Sequence, residues 1–152
     1  MAYTDYAFYT GSFYGDVLAE ETANKYLERA SDEVNTLTHR RLEGAFPTIE
    51  ADAVKVKKAV CAVAEALYLV DYQRKAVALQ QTADGGYRGV VSSISSGRES
   101  ISYSTGTAAS VYAAAAADDE KLKNLISDIA VKYLANVPDA NGTNLLYAGW
   151  GC

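Results

Sequence analysis

Histidine, methionine and tryptophan occur once each in this chain of 152 residues, and proline and cysteine twice. One histidine, His39, and two cysteines cannot assemble a Cys/His metal centre, and the nearest acid to His39 in sequence is Glu43. Cys61 lies inside an apolar helical run and Cys152 is the last residue. They read as a buried small hydrophobe and a terminal thiol, not as a disulfide framework. Basic residues are outnumbered, 14 against 19 acids, for a net charge of −5. That balance argues against a protein that grips nucleic acid through its phosphates. Only Arg40-Arg41, Lys55 to Lys58 and Arg74-Lys75 cluster, each flanked by acids. No apolar run comes near the ~20 residues a membrane span needs, and residues 1–15 are aromatic and acidic where a signal peptide would be basic. The chain therefore reads as a soluble, intracellular assembly component or enzyme, with no membrane partner.

Catalytic signatures are equally scarce. There is no Gly-x-Ser-x-Gly elbow, Walker motif or dinucleotide fingerprint. Asp84-Gly-Gly-Tyr-Arg-Gly89 is glycine-rich but lacks the strand-before, helix-after setting of a phosphate cradle. Asp118-Asp119-Glu120 reads more simply as a helix cap with dipole partners than as a metal site. His39, beside Arg40 and Arg41, suits a helix-end capping role. These absences leave no catalytic, cofactor-binding or metal residue to name, and the chain is read as not an enzyme.

What the chain does have is apolar content of 49% and twelve tyrosines, enough for one domain with a real core. A first helix is expected over about 18–43. Ala23, Tyr26, Leu27, Ala30, Val34, Leu37 and Leu42 fall at steps of three and four, and Gly44 stops it. Thr48 is placed to cap a second helix over about 49–82, apolar nearly all round from Val60 to Val70 and so expected at the centre of the domain. After a loop at 83–89 the period turns strand-like. Val91–Ile94 and Ser100–Tyr103 flank Ser95 to Glu99 and predict a polar, projecting hairpin over about 91–104. Asp118 caps a third helix over about 119–136, and the alanines at 113–117 suit a separate short helical piece. The expectation is a mainly α, three-helix bundle-like single domain, 1–152. It has an extended N-terminal arm (1–15), a helical body (16–137) and an apolar, extended C-terminal tail (138–152).

The two ends are rich in residues that want cover. Tyr3, Tyr6, Phe8 and Tyr9 stand in the arm, and Leu145, Leu146, Tyr147 and Trp150 in the tail. Neither segment is long enough to form its own core, so both are expected to pack on the body or on a neighbour. Ile94, Arg98, Ile101 and Tyr103 of the hairpin join them as interface candidates, because an isolated hairpin with so little to bury is unstable in water.

Tyr26-Leu27, Ala30-Ser31 and Thr38 with Arg41 resemble the first helix of the phage head–tail connector (adaptor, or head-completion) family. The similarity continues through Cys61-Ala-Val-Ala-Glu65, the Ser-rich hairpin, Tyr133-Leu134-Ala135 and Leu145-Leu146-Tyr147-Ala148-Gly149. Such tails often carry Arg where this chain has Ala148, and the alanine run is not part of the family pattern. The resemblance implies a structural virion protein that forms a ring, dodecameric in this family, between portal and tail. Its partners would be further copies of itself, the portal protein and a neck, stopper or tail-completion protein. DNA would pass through the lumen only as cargo, which an acidic wall suits. Assembly would take place in the bacterial host cytoplasm, and the finished protein would sit in the virion neck. The competing reading is a small helical enzyme or ligand-binding module.

Overall fold

A computed structural model describes residues 1–82, 93–96, 99–102 and 110–149. These residues are mainly helical. Six helices run in chain order: α1 (Tyr6–Gly11), α2 (Glu20–Leu37), α3 (Arg41–Gly44), α4 (Glu50–Thr82), α5 (Val111–Ala117) and α6 (Asp119–Leu134). Two short strands, β1 (Ser93–Ser96) and β2 (Glu99–Ser102), pair antiparallel with Ile94 opposite Ile101. None of the helices is long and apolar enough to cross a membrane among the described residues. The chain, expected as a single domain, divides into two compact units, Met1–Tyr68 with Ile126–Cys152 and Leu69–Leu125.

In the first unit the core follows the apolar periodicity. Ala23, Tyr26, Leu27, Ala30 and Val34 of α2 are fully or almost fully buried, as are Val56, Ala59, Val60, Cys61, Val63 and Ala64 of α4. Ile126, Ala130 and Leu134 of α6 are buried at the helical spacing of four. Each buried Leu, Ile or Val contributes roughly 1.5–3 kcal/mol from the apolar area removed from water. Small alanines let helix surfaces approach closely, and Tyr26 meets Tyr68 of α4 edge-on, ring centroids 5.4 Å apart.

The first helix breaks earlier than expected. α2 ends at Leu37, Thr38 turns its hydroxyl back to the Asn35 carbonyl, and His39 and Arg40 take left-handed backbone angles (φ 53° and 60°) before α3 resumes. Threonine hydroxyls compete for backbone carbonyls, which weakens helix here. The break turns α3 so that Leu42 is buried. The cap of α4 also differs. The Ile49 carbonyl accepts the first helical bonds, from Asp52 and Ala53, so the cap position is Ile49 and not Thr48. Asp118 caps α6 as expected, its Oδ1 accepting from the Glu120 N–H at 2.9 Å. The alanines form the separate short helix α5, capped by Ser110. In the second unit Arg74 of α4 reaches the Ala116 carbonyl of α5 and the Asp119 carboxylate of α6, both at 3.2 Å.

The N-terminal arm is not extended. Asp5 caps α1 by accepting from the Phe8 N–H at 2.8 Å, and the six-residue helix turns Tyr9 inward. Residues 138–149 of the tail are not extended either. Asn136 closes α6 in a left-handed conformation (φ 61°). Asp139 Oδ1 then accepts from the Asn141 and Thr143 N–H groups, Gly142 adopts φ 83°, and the Leu145 N–H donates to the Val137 carbonyl. The result is a tight fold-back, bridged by Pro138 and Asn144.

Candidate functional site

The arm is tied down at several points. The Tyr3 N–H donates to Ser31 Oγ at 3.0 Å, and the Tyr3 ring stacks on Phe46 at 5.6 Å. Tyr6 stacks on Tyr9, and Lys57 of α4 places its ammonium over the Phe8 ring. Tyr3, Tyr6 and Phe8 are half-buried. Tyr9 has no exposed surface at all. Its hydroxyl donates to Glu65 Oε1 at 2.7 Å and accepts from the N–H groups of Val17 (2.9 Å) and Leu18 (3.0 Å). Burial pushes the Tyr9 phenol up to about 12, only partly opposed by the backbone donors, so the group stays a neutral donor. Burial likewise raises the Glu65 carboxyl above its ordinary value, the bond from Tyr9 pulling the other way. Tyr9 therefore cannot serve as an interface residue. A ring with three satisfied hydrogen bonds inside the fold has no face left for a partner.

The tail divides in the same way. Leu145 is completely buried, which takes it out of the candidate interface and puts it in the core. Leu146 is half-buried, and Tyr147 is 51% exposed. Arg41 of α3 holds this segment. Its Nη1 donates to the Asn144 carbonyl at 2.7 Å, and its guanidinium stands over the Tyr147 ring, 5.8 Å from the centroid. The Ala140 N–H donates to the Ala45 carbonyl, a second tie from the fold-back to the segment after α3. The candidates Ile94 and Ile101 face each other in the strand register. Arg98, Tyr103 and Trp150 lie outside the described residues.

Sequence reasoning did not find the exposed apolar residues Ile49 of the first unit, or Tyr72 and Val111 of the second, between 59% and 61% exposed. A single aromatic in a polar stretch, such as Tyr72 in Asp-Tyr-Gln-Arg, is the available signal. His39 is exposed at the α2–α3 break. Its own N–H bonds the Thr36 carbonyl. Burial pushes the Cys61 thiol up to about 12, with the Thr4 hydroxyl offsetting part of the effect, which makes it an unreactive core group. Among the described residues no three His, Cys, Asp or Glu side chains gather closely enough to hold a metal ion.

The chain matches no family model, no curated protein and no solved structure.

Proposed function

We propose that this chain is a structural virion protein, a subunit of an adaptor ring between portal and tail, and not an enzyme. The observation that carries this reading is the meeting of Arg41 with the Asn144–Tyr147 tail. The two segments stand 103 residues apart in sequence. Each belongs to the pattern that resembles the connector family, the Thr-x-x-Arg ending and the Leu-Leu-Tyr-x-Gly end. Leu145 anchors the tail in the core, and Tyr147, steadied by a cation over its ring, is presented outward. A rigid aromatic with a polar tip is the residue type that interfaces concentrate.

In this reading α2 packs bundle-like with the parts of α4 and α6 in the first unit, and β1 and β2 form a projecting Ser-rich hairpin. The hairpin reaches a neighbouring copy or the lumen. Portal and the next neck or tail-completion protein meet the ring on its two sides, and the acidic chain lets DNA slide through. The test is Tyr147→Ala with complementation of portal-bearing heads. The variant should fold with an unchanged melting temperature and lose head completion, since a central aromatic contact is worth about 2 kcal/mol or more. Normal completion would remove Tyr147 from the interface. The enzyme or ligand-binding alternative would gain instead from a stable monomer that binds a metabolite.

A further inference from the structure

The tail turns back on itself between Asp139 and Thr143. The Asp139 N–H donates to the Thr143 carbonyl at 2.7 Å, and the Gly142 N–H donates to the Asp139 carbonyl at 3.0 Å, closing the loop Ala140-Asn141-Gly142. A three-residue hairpin loop of this kind places its last residue in the left-handed region, and Gly142 fills that place at φ 83°. The side chain before it is therefore followed by a glycine nitrogen. Asn141 is the one asparagine in the sequence that glycine follows. An asparagine amide carbon and the next backbone nitrogen can close a five-membered ring, and glycine alone carries no Cβ to obstruct that approach.

Asn141 and Gly142 are both exposed. A Cβ built on Gly142 would meet nothing within 4 Å, so no neighbouring element crowds this residue. Asn141 is tied to Asp139 by its backbone N–H, 2.8 Å from Oδ1, and not by its side-chain amide. What restrains the pair is the hydrogen bond that keeps the Gly142 N–H on the Asp139 carbonyl. That bond has to open before the nitrogen can attack. The loop also positions what lies beyond it. Asp139 Oδ1 accepts from the N–H groups of Asn141 and Thr143, the Ala140 N–H reaches the Ala45 carbonyl, and the Leu145 N–H reaches the Val137 carbonyl. These bonds hold the buried Leu145 in place, with the half-exposed Tyr147 close behind it.

We propose that Asn141 is a self-modification site, whose spontaneous deamidation is held back by the closed turn and, once complete, loosens the tail. When the turn opens, the Gly142 nitrogen gives up its proton to solvent and bonds to Asn141 Cγ. The Cγ–Nδ2 bond breaks, and ammonia leaves with a proton taken back from solvent. Water then opens the succinimide ring at either carbonyl and leaves aspartate or isoaspartate at position 141, with nothing oxidised or reduced. Isoaspartate routes the main chain through the former side chain and lengthens by one carbon a loop closed around three residues. Either product sets a new carboxylate near that of Asp139, which is only 8% exposed, and like charges in a partly buried place repel. The chemistry is independent of the ring assignment, whereas its effect on assembly rests on Tyr147 as a contact residue.

The test incubates the full chain in mildly alkaline buffer, native or unfolded in guanidinium chloride. Residue 141 is followed by peptide mass spectrometry with isoaspartyl-methyltransferase labelling. In the unfolded chain Asn141 should deamidate ahead of every other asparagine, and in the native chain about tenfold more slowly or less, because the turn must open first. Asp139→Ala, which removes the side-chain acceptor, should bring the native rate toward the unfolded one. Equal rates in native and unfolded chain, or an unfolded chain in which Asn141 is no faster than the other asparagines, would overturn the proposal. Hydrogen exchange reads the consequence. In the isoaspartate-containing chain the Leu145 amide should exchange about tenfold faster or more, with Val63 in α4 unchanged. Asn141→Gln, which would need a larger ring, should keep the parent's exchange through the same incubation. An unchanged Leu145 rate after modification would refute the loosening. A loosened chain that still completes portal-bearing heads would refute Tyr147 as the contact and uphold the modification site.

Discussion

Tyr9 does at one position what three separate contacts would otherwise do. Its hydroxyl joins α1, the segment entering α2 and Glu65 of α4. Tyr9→Phe leaves the buried Leu18 N–H and its neighbour at Val17 without an acceptor, and thermal unfolding should show a loss of about 1–3 kcal/mol. Gly15 belongs to the same knot. A Cβ there would lie 2.1 Å from the Tyr9 ring, so Gly15→Ala has to displace a ring with no exposed surface. The pH dependence at Glu65 has a definite sign. Its folded pKa is raised above the ordinary 4.5, so the folded state binds the proton more tightly than the unfolded chain. This contribution favours folding below 4.5 and is lost as pH rises through the folded value. Glu65→Gln keeps an acceptor for Tyr9 and removes the titration. The melting temperature of the variant should therefore fall less than that of the parent as pH is raised across that window. Cys61, with a thiol near 12 and no exposed surface, should resist alkylation until the protein unfolds, as peptide mapping can check.

Among the elements, α4 and α6 were legible in the sequence because their apolar residues, and for α6 the Asp118 cap, are local signals. Val60 to Val70 allowed no exposed helix, and Val63 is indeed fully buried. Val63→Asp would put an unpaired carboxylate there and should cost about 3 kcal/mol or more, read as a lost or strongly lowered melting transition. The break at Thr38–Arg40 was not legible. It has no glycine or proline, and its left-handed residues, His39 and Arg40, are held by their own N–H bonds to the Thr36 and Asn35 carbonyls, which no residue type there announces. The arm and the tail were read correctly as needing cover. The periodicity of so few residues could not show that Tyr9 and Leu145 find it inside their own chain while Tyr147 does not. Only three-dimensional burial separates Tyr9 and Leu145, covered by the fold, from Tyr147, which stays exposed.

At the scale of the whole molecule, the tyrosines lie partly in the core and partly on the surface. Tyr14, Tyr72 and Tyr147 remain more than half exposed after the described core is complete. Large exposed aromatics of this kind are the usual anchors of protein contacts. Removing residues 144–152 would strip out Leu145 with Tyr147 and confuse core with contact, so point substitution at Tyr147 is the cleaner perturbation. The central claim is that copies of this chain form a ring at the portal vertex. Electron-microscopy averaging of particles that carry the chain with a label fused at its C-terminus locates it directly. The expected image is a rotationally symmetric ring with an open channel, labelled around its circumference at the single vertex where the tail joins. Label scattered over the capsid, or absent from particles while the chain persists as a free 16.3 kDa monomer, would contradict the assignment.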